Sequence, residues 1–179
     1  MTEIVEAEID SWPLATEFPI HARMQAVTLE VILQVIFGVA GGPRLDRLRE
    51  MLSTVLTETA SPGRQVLGLA LQRFGGRGMF AQFESQLREV DELLFAEIAE
   101  HRERPDLAER EDILSMLMTA EFEDGTRMED QELRDQLMTL LLAGHETTAT
   151  ALAWTFDLLL RHPEVLGRLR DSLAAGDED

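Results

Sequence analysis

Apolar positions recur at three- and four-residue steps along most of this chain, the spacing that keeps side chains on one face of an α-helix. Thr2–Ser11 carries Ile4, Val5 and Ile9 among acids and reads as a short helix. Trp12-Pro13 ends it, since the residue before a proline leaves the helical region. After Phe18-Pro19, the positions Met24, Val27, Val31, Ile32, Val35 and Ile36 define a second helix from Ile20 to Phe37. Its density of β-branched side chains points to heavy burial. Gly38, Gly41 and Gly42 close it, and Leu45, Leu48, Leu52, Val55 and Leu56 give a third helix from Pro43 to Thr59.

Ser61-Pro62-Gly63 breaks that helix, and residues 61–79 then read as a glycine-rich connection with a short helical piece from Gln65 to Gln72. Phe80, Phe83, Leu87, Val90, Leu94 and Ile98 mark a long helix. Arg102 and Arg104 stand in its last turn, where the macrodipole favours cations, and Pro105 stops it. Ile113, Leu114, Leu117 and Met118 give a shorter helix, and Phe122-Glu123-Asp124-Gly125-Thr126 a turn. One long helix runs from about Glu129 to Arg161, and Pro163 starts a last one through Leu166, Leu169 and Leu173. The pattern is that of an all-α chain of about seven or eight helices forming one domain over residues 1–179.

The long helix has a centre that breaks its own rule. Leucines crowd both ends, yet Ala143-Gly144-His145-Glu146-Thr147-Thr148-Ala149-Thr150-Ala151 is small and polar where a core helix is most apolar. Glycine costs about 1 kcal/mol against alanine there, and threonine is a poor helix former. At helical spacing Ala143, Gly144, Thr147, Thr148 and Ala151 share a face, so Gly144 is expected to leave a shallow notch beside Thr147. Glu146 lies about 100° round from Thr147, and an acid beside an alcohol is an arrangement that can pass a proton.

Plainer readings of the same residues compete with this one. An acid–threonine pair in a helix is most often solvated, a single histidine such as His145 is most often packed, and the leucine stripes and methionines are core. His145-Glu146 opens like a zinc-protease H-E-x-x-H, but Ala149 stands where the second histidine is needed, and that reading fails.

Composition narrows the classes. A net charge of −18 repels phosphate backbones and anionic lipid surfaces, and no basic stripe offsets it, so no nucleic-acid or membrane partner is expected. Apolar runs are interrupted before the length of about 20 residues that a membrane span needs. The acidic start Met1-Thr2-Glu3-Ile4-Val5-Glu6 is unlike a signal peptide, which leaves a cytoplasmic location as the expectation. There is no cysteine, hence no disulfide, thiolate nucleophile or thiolate ligand among these residues.

The segment A-G-H-E-T-T, Ala143 to Thr148, matches [AG]-G-x-[DE]-T-[ST] and resembles the signature of the long distal helix of the cytochrome P-450 family of haem-thiolate monooxygenases. Its surroundings resemble that family as well: Glu132-Leu133-Arg134-Asp135 before it, His162-Pro163-Glu164 and Leu169-Arg170-Asp171-Ser172-Leu173 after it, and Thr28-Leu29-Glu30-Val31-Ile32 and Asp112-Ile113-Leu114-Ser115-Met116-Leu117 upstream. The resemblance implies the central helical part of the P-450 fold. It implies that Thr147 orders protons over the distal face of a haem b, that Glu146 is its acid partner, and that Ala143, Gly144 and Thr148 border the oxygen and substrate pocket. No residue of this chain is implied as a metal ligand. The helices near residues 43–59 and 80–104 would roof the pocket, and Leu67, Leu69 and Leu71 make an apolar organic substrate plausible. A ferredoxin or flavodoxin would donate the electrons.

The same resemblance shows what these residues do not contain: the β-rich region, the E-x-x-R helix and the glycine-rich loop whose cysteine holds the iron. The expectation is an incomplete helical domain, inactive alone for want of the thiolate and poorly soluble. The competing expectation is a complete all-α binding or regulatory protein without haem. The nucleotide sequence on either side of the coding region distinguishes the two.

Overall fold

A computed structural model describes residues 1–38, 41–60 and 77–176. Among them are seven α-helices: α1 (Thr2–Asp10), α2 (Ile20–Phe37), α3 (Pro43–Ala60), α4 (Arg77–Arg102), α5 (Ile113–Thr119), α6 (Asp130–Arg161) and α7 (Pro163–Ala175). One 3-10 turn, Leu107–Glu109, precedes α5. The all-α expectation holds, with helix ends within about three residues of those read from spacing. Arg104 is the exception on detail: it lies beyond the end of α4, in a turn whose backbone N–H donates to His101 O at 3.1 Å. The expected piece Gln65–Gln72 and most of the glycine-rich connection, with Leu67, Leu69 and Leu71, lie outside the described residues.

The chain divides into two compact units, residues 29–144 and residues 1–28 with 145–179. In the first, the cores of α3, α4 and α6 follow the faces read from spacing, whereas α2 turns Leu29, Leu33 and Phe37 inward with Ile36 and leaves the expected Val35 exposed. Leu29, Leu33, Ile36 and Phe37 of α2, Leu45, Leu48 and Leu52 of α3, and Val90, Leu94 and Ile98 of α4 are buried. Leu114 and Met118 of α5 and Leu133, Leu137 and Leu141 of α6 complete it. Each such side chain contributes about 1.5–3 kcal/mol on burial. Charge pairs follow the helix seams: Arg44 to Glu97 at 2.7 Å and Arg47 to Glu89 at 2.6 Å join α3 to α4. A two-pronged Arg49–Glu30 contact at 2.6 and 3.0 Å joins α3 to α2, and Arg134–Asp91 joins α6 to α4.

A buried polar cluster sits where α4 ends and α5 begins. Glu97, His101, Asp112 and Ser115 are all buried. Asp112 caps α5, its Oδ1 accepting from Ser115 N at 2.8 Å, while its Oδ2 accepts from Arg110 Nε at 2.6 Å. Gly38 ends α2 with φ +67°, and a Cβ there would stand 2.5 Å from Arg110 Nη2 and 2.8 Å from Asp112 Cβ. Only a glycine fits that backbone and that space. The turn at Phe122–Thr126 closes an isolated antiparallel bridge between Glu121 and Arg127, a feature that the helical spacing did not foretell.

In the second unit, Met24, Val27, Thr28, His145 and Ala149 are buried. Trp12 packs on Phe18 at 5.2 Å between ring centroids, and the Arg23 guanidinium lies over the Phe18 ring at 5.7 Å while pairing with Glu8. Gly176 ends α7 in the left-handed conformation at φ 74°. Among the described helices α2 alone is long and apolar enough by composition to cross a membrane, with mean hydropathy 1.3 over 18 residues. Its apolar positions Met24, Val27, Leu29, Leu33, Ile36 and Phe37 are buried in the protein.

Candidate functional site

The helix that carries the motif is 32 residues long and starts without a conventional cap. Glu129 stands where a serine, threonine or aspartate is favoured, yet its backbone N–H donates to Glu132 Oε2 at 2.9 Å. That is the reciprocal half of a capping box, and it satisfies one donor at the start of the helix. Asp130 and Glu132 in the first turn and Arg161 in the last complement the helix dipole.

Buried positions of α6 recur every four residues: Leu133, Leu137, Leu141, His145 and Ala149. His145 therefore continues the leucine stripe. Its burial agrees with the reading of a lone histidine as packed. The residues of the motif that point elsewhere differ in exposure: Ala143, Thr147 and Thr148 are exposed, Gly144 and Glu146 half-buried.

In the unit containing residues 145–179, α2 meets the motif through three polar side chains spaced by four and three residues, hence on one helical face. Thr28 Oγ1 lies 2.9 Å from His145 Nδ1 and also donates to Met24 O at 2.9 Å. Gln25 Nε2 donates to Glu146 Oε2 at 2.9 Å. His21 Nε2 lies 3.3 Å from Thr150 Oγ1 and 3.7 Å from Glu146 Oε1. A hydroxyl has one proton. With it on the Met24 carbonyl, the imidazole Nδ1–H donates to Thr28. Burial pushes His145 below the ordinary imidazole value, with the Glu146 carboxylate pulling the other way and His21 adding to the fall. Burial thus disfavours the charged form of the ring.

In the other unit, a Cβ built on Gly144 would stand 2.7 Å from Ile32 Cδ1. The room that glycine makes at that point is filled by Ile32 of α2, not left as the shallow notch that spacing suggested. The physical reason is close helix packing: a missing side chain lets a neighbouring one come in. A cleft of about 350 Å³ is lined by His21, Thr150, Ala153, Trp154, Asp157 and Arg161, and neither Glu146 nor Thr147 is among its walls. Among the described residues no group of three or more histidine, aspartate and glutamate side chains is arranged to hold a metal ion.

Known proteins match nearly the whole chain. The family profile for Cytochrome P450 matches residues 2–175. Cytochrome P450 135B1 of Mycobacterium tuberculosis is 42% identical over 99% of this chain and 38% of its own length. Cytochrome P450 137 of the same species is 40% identical over 96% of this chain and 36% of its own. Among solved structures, a cyanobacterial CYP120A1 with retinoic acid bound superposes with a TM-score of 0.72 at 22% identity, covering 95% of this chain and 36% of that one. The heme domain of cytochrome P450DA superposes at 0.66 with 27% identity, over 93% and 36%. The chain spans under two-fifths of the length of the curated relatives it matches.

Proposed function

The chain belongs to the cytochrome P450 family, and from that premise we propose that it forms the distal helical part of a haem-dependent monooxygenase that inserts one oxygen atom into an apolar organic substrate. The observation that carries the reading is the A-G-H-E-T-T segment, Ala143 to Thr148, standing within a family match that runs from residue 2 to residue 175.

The residues of α6 fit a flat prosthetic group on one side only. Thr147, Thr148 and Ala151 are exposed and small, which lets a planar ring approach the helix. His145 is buried against Thr28 and is not free to be a ligand. With no cysteine among the 179 residues, the thiolate has to come from outside them. Haem, when bound, supplies the iron at which dioxygen is reduced. Thr147 would hold a proton in a hydrogen bond at its hydroxyl, and Glu146 would replace that proton from solvent, which its half-exposed carboxylate reaches. Ala143 and Gly144 would border the same pocket, with Thr148 beside them. A ferredoxin- or flavodoxin-type electron donor and a cytoplasmic location belong to this reading.

A chimaera tests it. Residues 2–175 replace the matching segment of cytochrome P450 135B1, which supplies the parts that these residues lack. A thiolate-type band on reduction under carbon monoxide supports the reading, and a folded chimaera that takes up no haem contradicts it.

A further inference from the structure

We infer that Thr28 and His145 are positioning residues for Glu146, acting with Gln25 to fix the direction in which its carboxylate points. This rests on the proton-delivery reading of Glu146. The geometry is a ladder between two helices: Thr28 to His145, Gln25 to Glu146 and His21 to Thr150, descending one helix as it ascends the other. The Thr28–His145 rung is its buried end, His145 being 2% exposed and Thr28 7%. The outer rungs are wetter, with side chains of His21 42% and Glu146 38% exposed.

Burial decides which rung sets the others. A hydrogen bond between exposed groups competes with water at little cost, whereas a buried imidazole deprived of its partner keeps the full desolvation penalty. Successive helical residues point about 100° apart, so anchoring the ring of His145 fixes the azimuth of its neighbour Glu146. Ala149, fully buried one turn on from His145, adds no bulk that would hold the helices apart. The Thr28 hydroxyl also donates to Met24 O at 2.9 Å, a bond back to its own helix that favours one χ1. A roll of α6 that broke this rung would carry the Glu146 carboxylate away from Gln25.

The test reads the Gln25–Glu146 contact directly, by the exchange with water of the Gln25 side-chain amide protons in the isotopically labelled full chain. Thr28→Val removes the hydroxyl and should speed that exchange about tenfold, with loss of the hydrogen-bonded signature of the His145 ring nitrogen. Thr28→Ser should restore both. Unchanged exchange in Thr28→Val once the ring signature is lost overturns the proposal. If Thr28→Val does not fold, His145→Ala decides, since it removes the ring from the buried rung: faster Gln25 exchange supports the proposal, and exchange as in the unaltered chain overturns it. These outcomes concern the direction of Glu146 alone. Whether Glu146 passes protons is decided separately, by the partition of oxygen between product and peroxide in the chimaera.

Discussion

The Cδ1 methyl of Ile32 occupies the space that a side chain on Gly144 would need, the built Cβ standing 2.7 Å from it. Helix propensity alone favours alanine over glycine by about 1 kcal/mol, so the packing term and the propensity term have opposite signs. A methyl forced into a filled core costs about 1–3 kcal/mol, and the Ile32 side chain can give only by moving its own end. We expect Gly144→Ala to lower stability by about 1 kcal/mol, and Ile32→Val in that background to recover most of it. Urea unfolding of the two single variants and the double variant measures the coupling. A Gly144→Ala chain more stable than the parent would mean that Ile32 does not constrain the position.

A second test lies at the junction of α4 and α5. Asp112 both caps α5 and holds Arg110, so Asp112→Ala should cost about 2–3 kcal/mol. Asp112→Asn keeps a capping oxygen and should cost roughly half as much. Gly38→Ala joins a positive φ to contacts with Arg110 and Asp112, and should lose roughly 2 kcal/mol or more. Denaturant midpoints report all three, and equal losses for the two Asp112 variants would remove the cap from the explanation.

Stability should fall with acid in two windows. Burial alone would raise the Glu97 carboxyl, but hydrogen bonds from His101 and Arg44 outweigh it and hold it below 4.5. At Asp112 burial is likewise overridden, by Ser115 and Arg110, and its carboxyl lies below 3.8. Depressed carboxylates contribute stability that is fully present above those ordinary values and lost as pH falls through the folded ones. His145 is pushed below 6.5 chiefly by burial. The fold prefers its neutral form, so its contribution is complete above 6.5 and is lost as pH falls below it. Unfolding midpoints across this range should fall first below about pH 6.5, and again in the carboxylate range. His145→Asn should erase the upper step, and Glu97→Gln should weaken the lower one while costing about 2 kcal/mol at neutral pH. A profile that is level from neutrality down to the carboxylate range would contradict the assignment to His145.

Large apolar side chains on α6 and α7 face outward: Trp154 is 64% exposed, Leu160 73% and Leu173 70%. Exposed large apolar side chains promote association where they lie together. The 179-residue chain should therefore bind a hydrophobic dye and aggregate readily, and Trp154→Gln with Leu160→Gln should reduce both. A chain that stays monomeric at high concentration without dye binding would count against it.

The helices were legible because each buries one face, and burial writes itself into spacing: Leu45, Leu48 and Leu52, or Val90, Leu94 and Ile98, need no neighbour to be read. The motif was legible as a departure from that spacing. What its residues touch was not, because a contact between α2 and α6 joins positions more than a hundred residues apart, and neither spacing nor propensity carries that information. His145 is the instructive case. A single histidine reads as packed, and His145 is buried, on the face that the four-residue step from Leu133 through Leu141 already marks. Gly144 is the converse: absence of a side chain was read as space, and the neighbouring helix had filled it. The half capping box of Glu129 and Glu132 was missed because the expected serine or aspartate was absent, while the reciprocal acid was present three residues on.

The central claim is that Thr147, supplied by Glu146, manages protons for oxygen activation, and the chimaera with cytochrome P450 135B1 tests it most directly. Product and hydrogen peroxide are measured together against electron donor consumed, for the parent chimaera, Thr147→Ala and Thr147→Ser. The account predicts that Thr147→Ala shifts consumption several-fold toward peroxide while haem content and substrate binding hold, and that Thr147→Ser recovers most of the product. Unchanged coupling in Thr147→Ala would take Thr147 out of the mechanism.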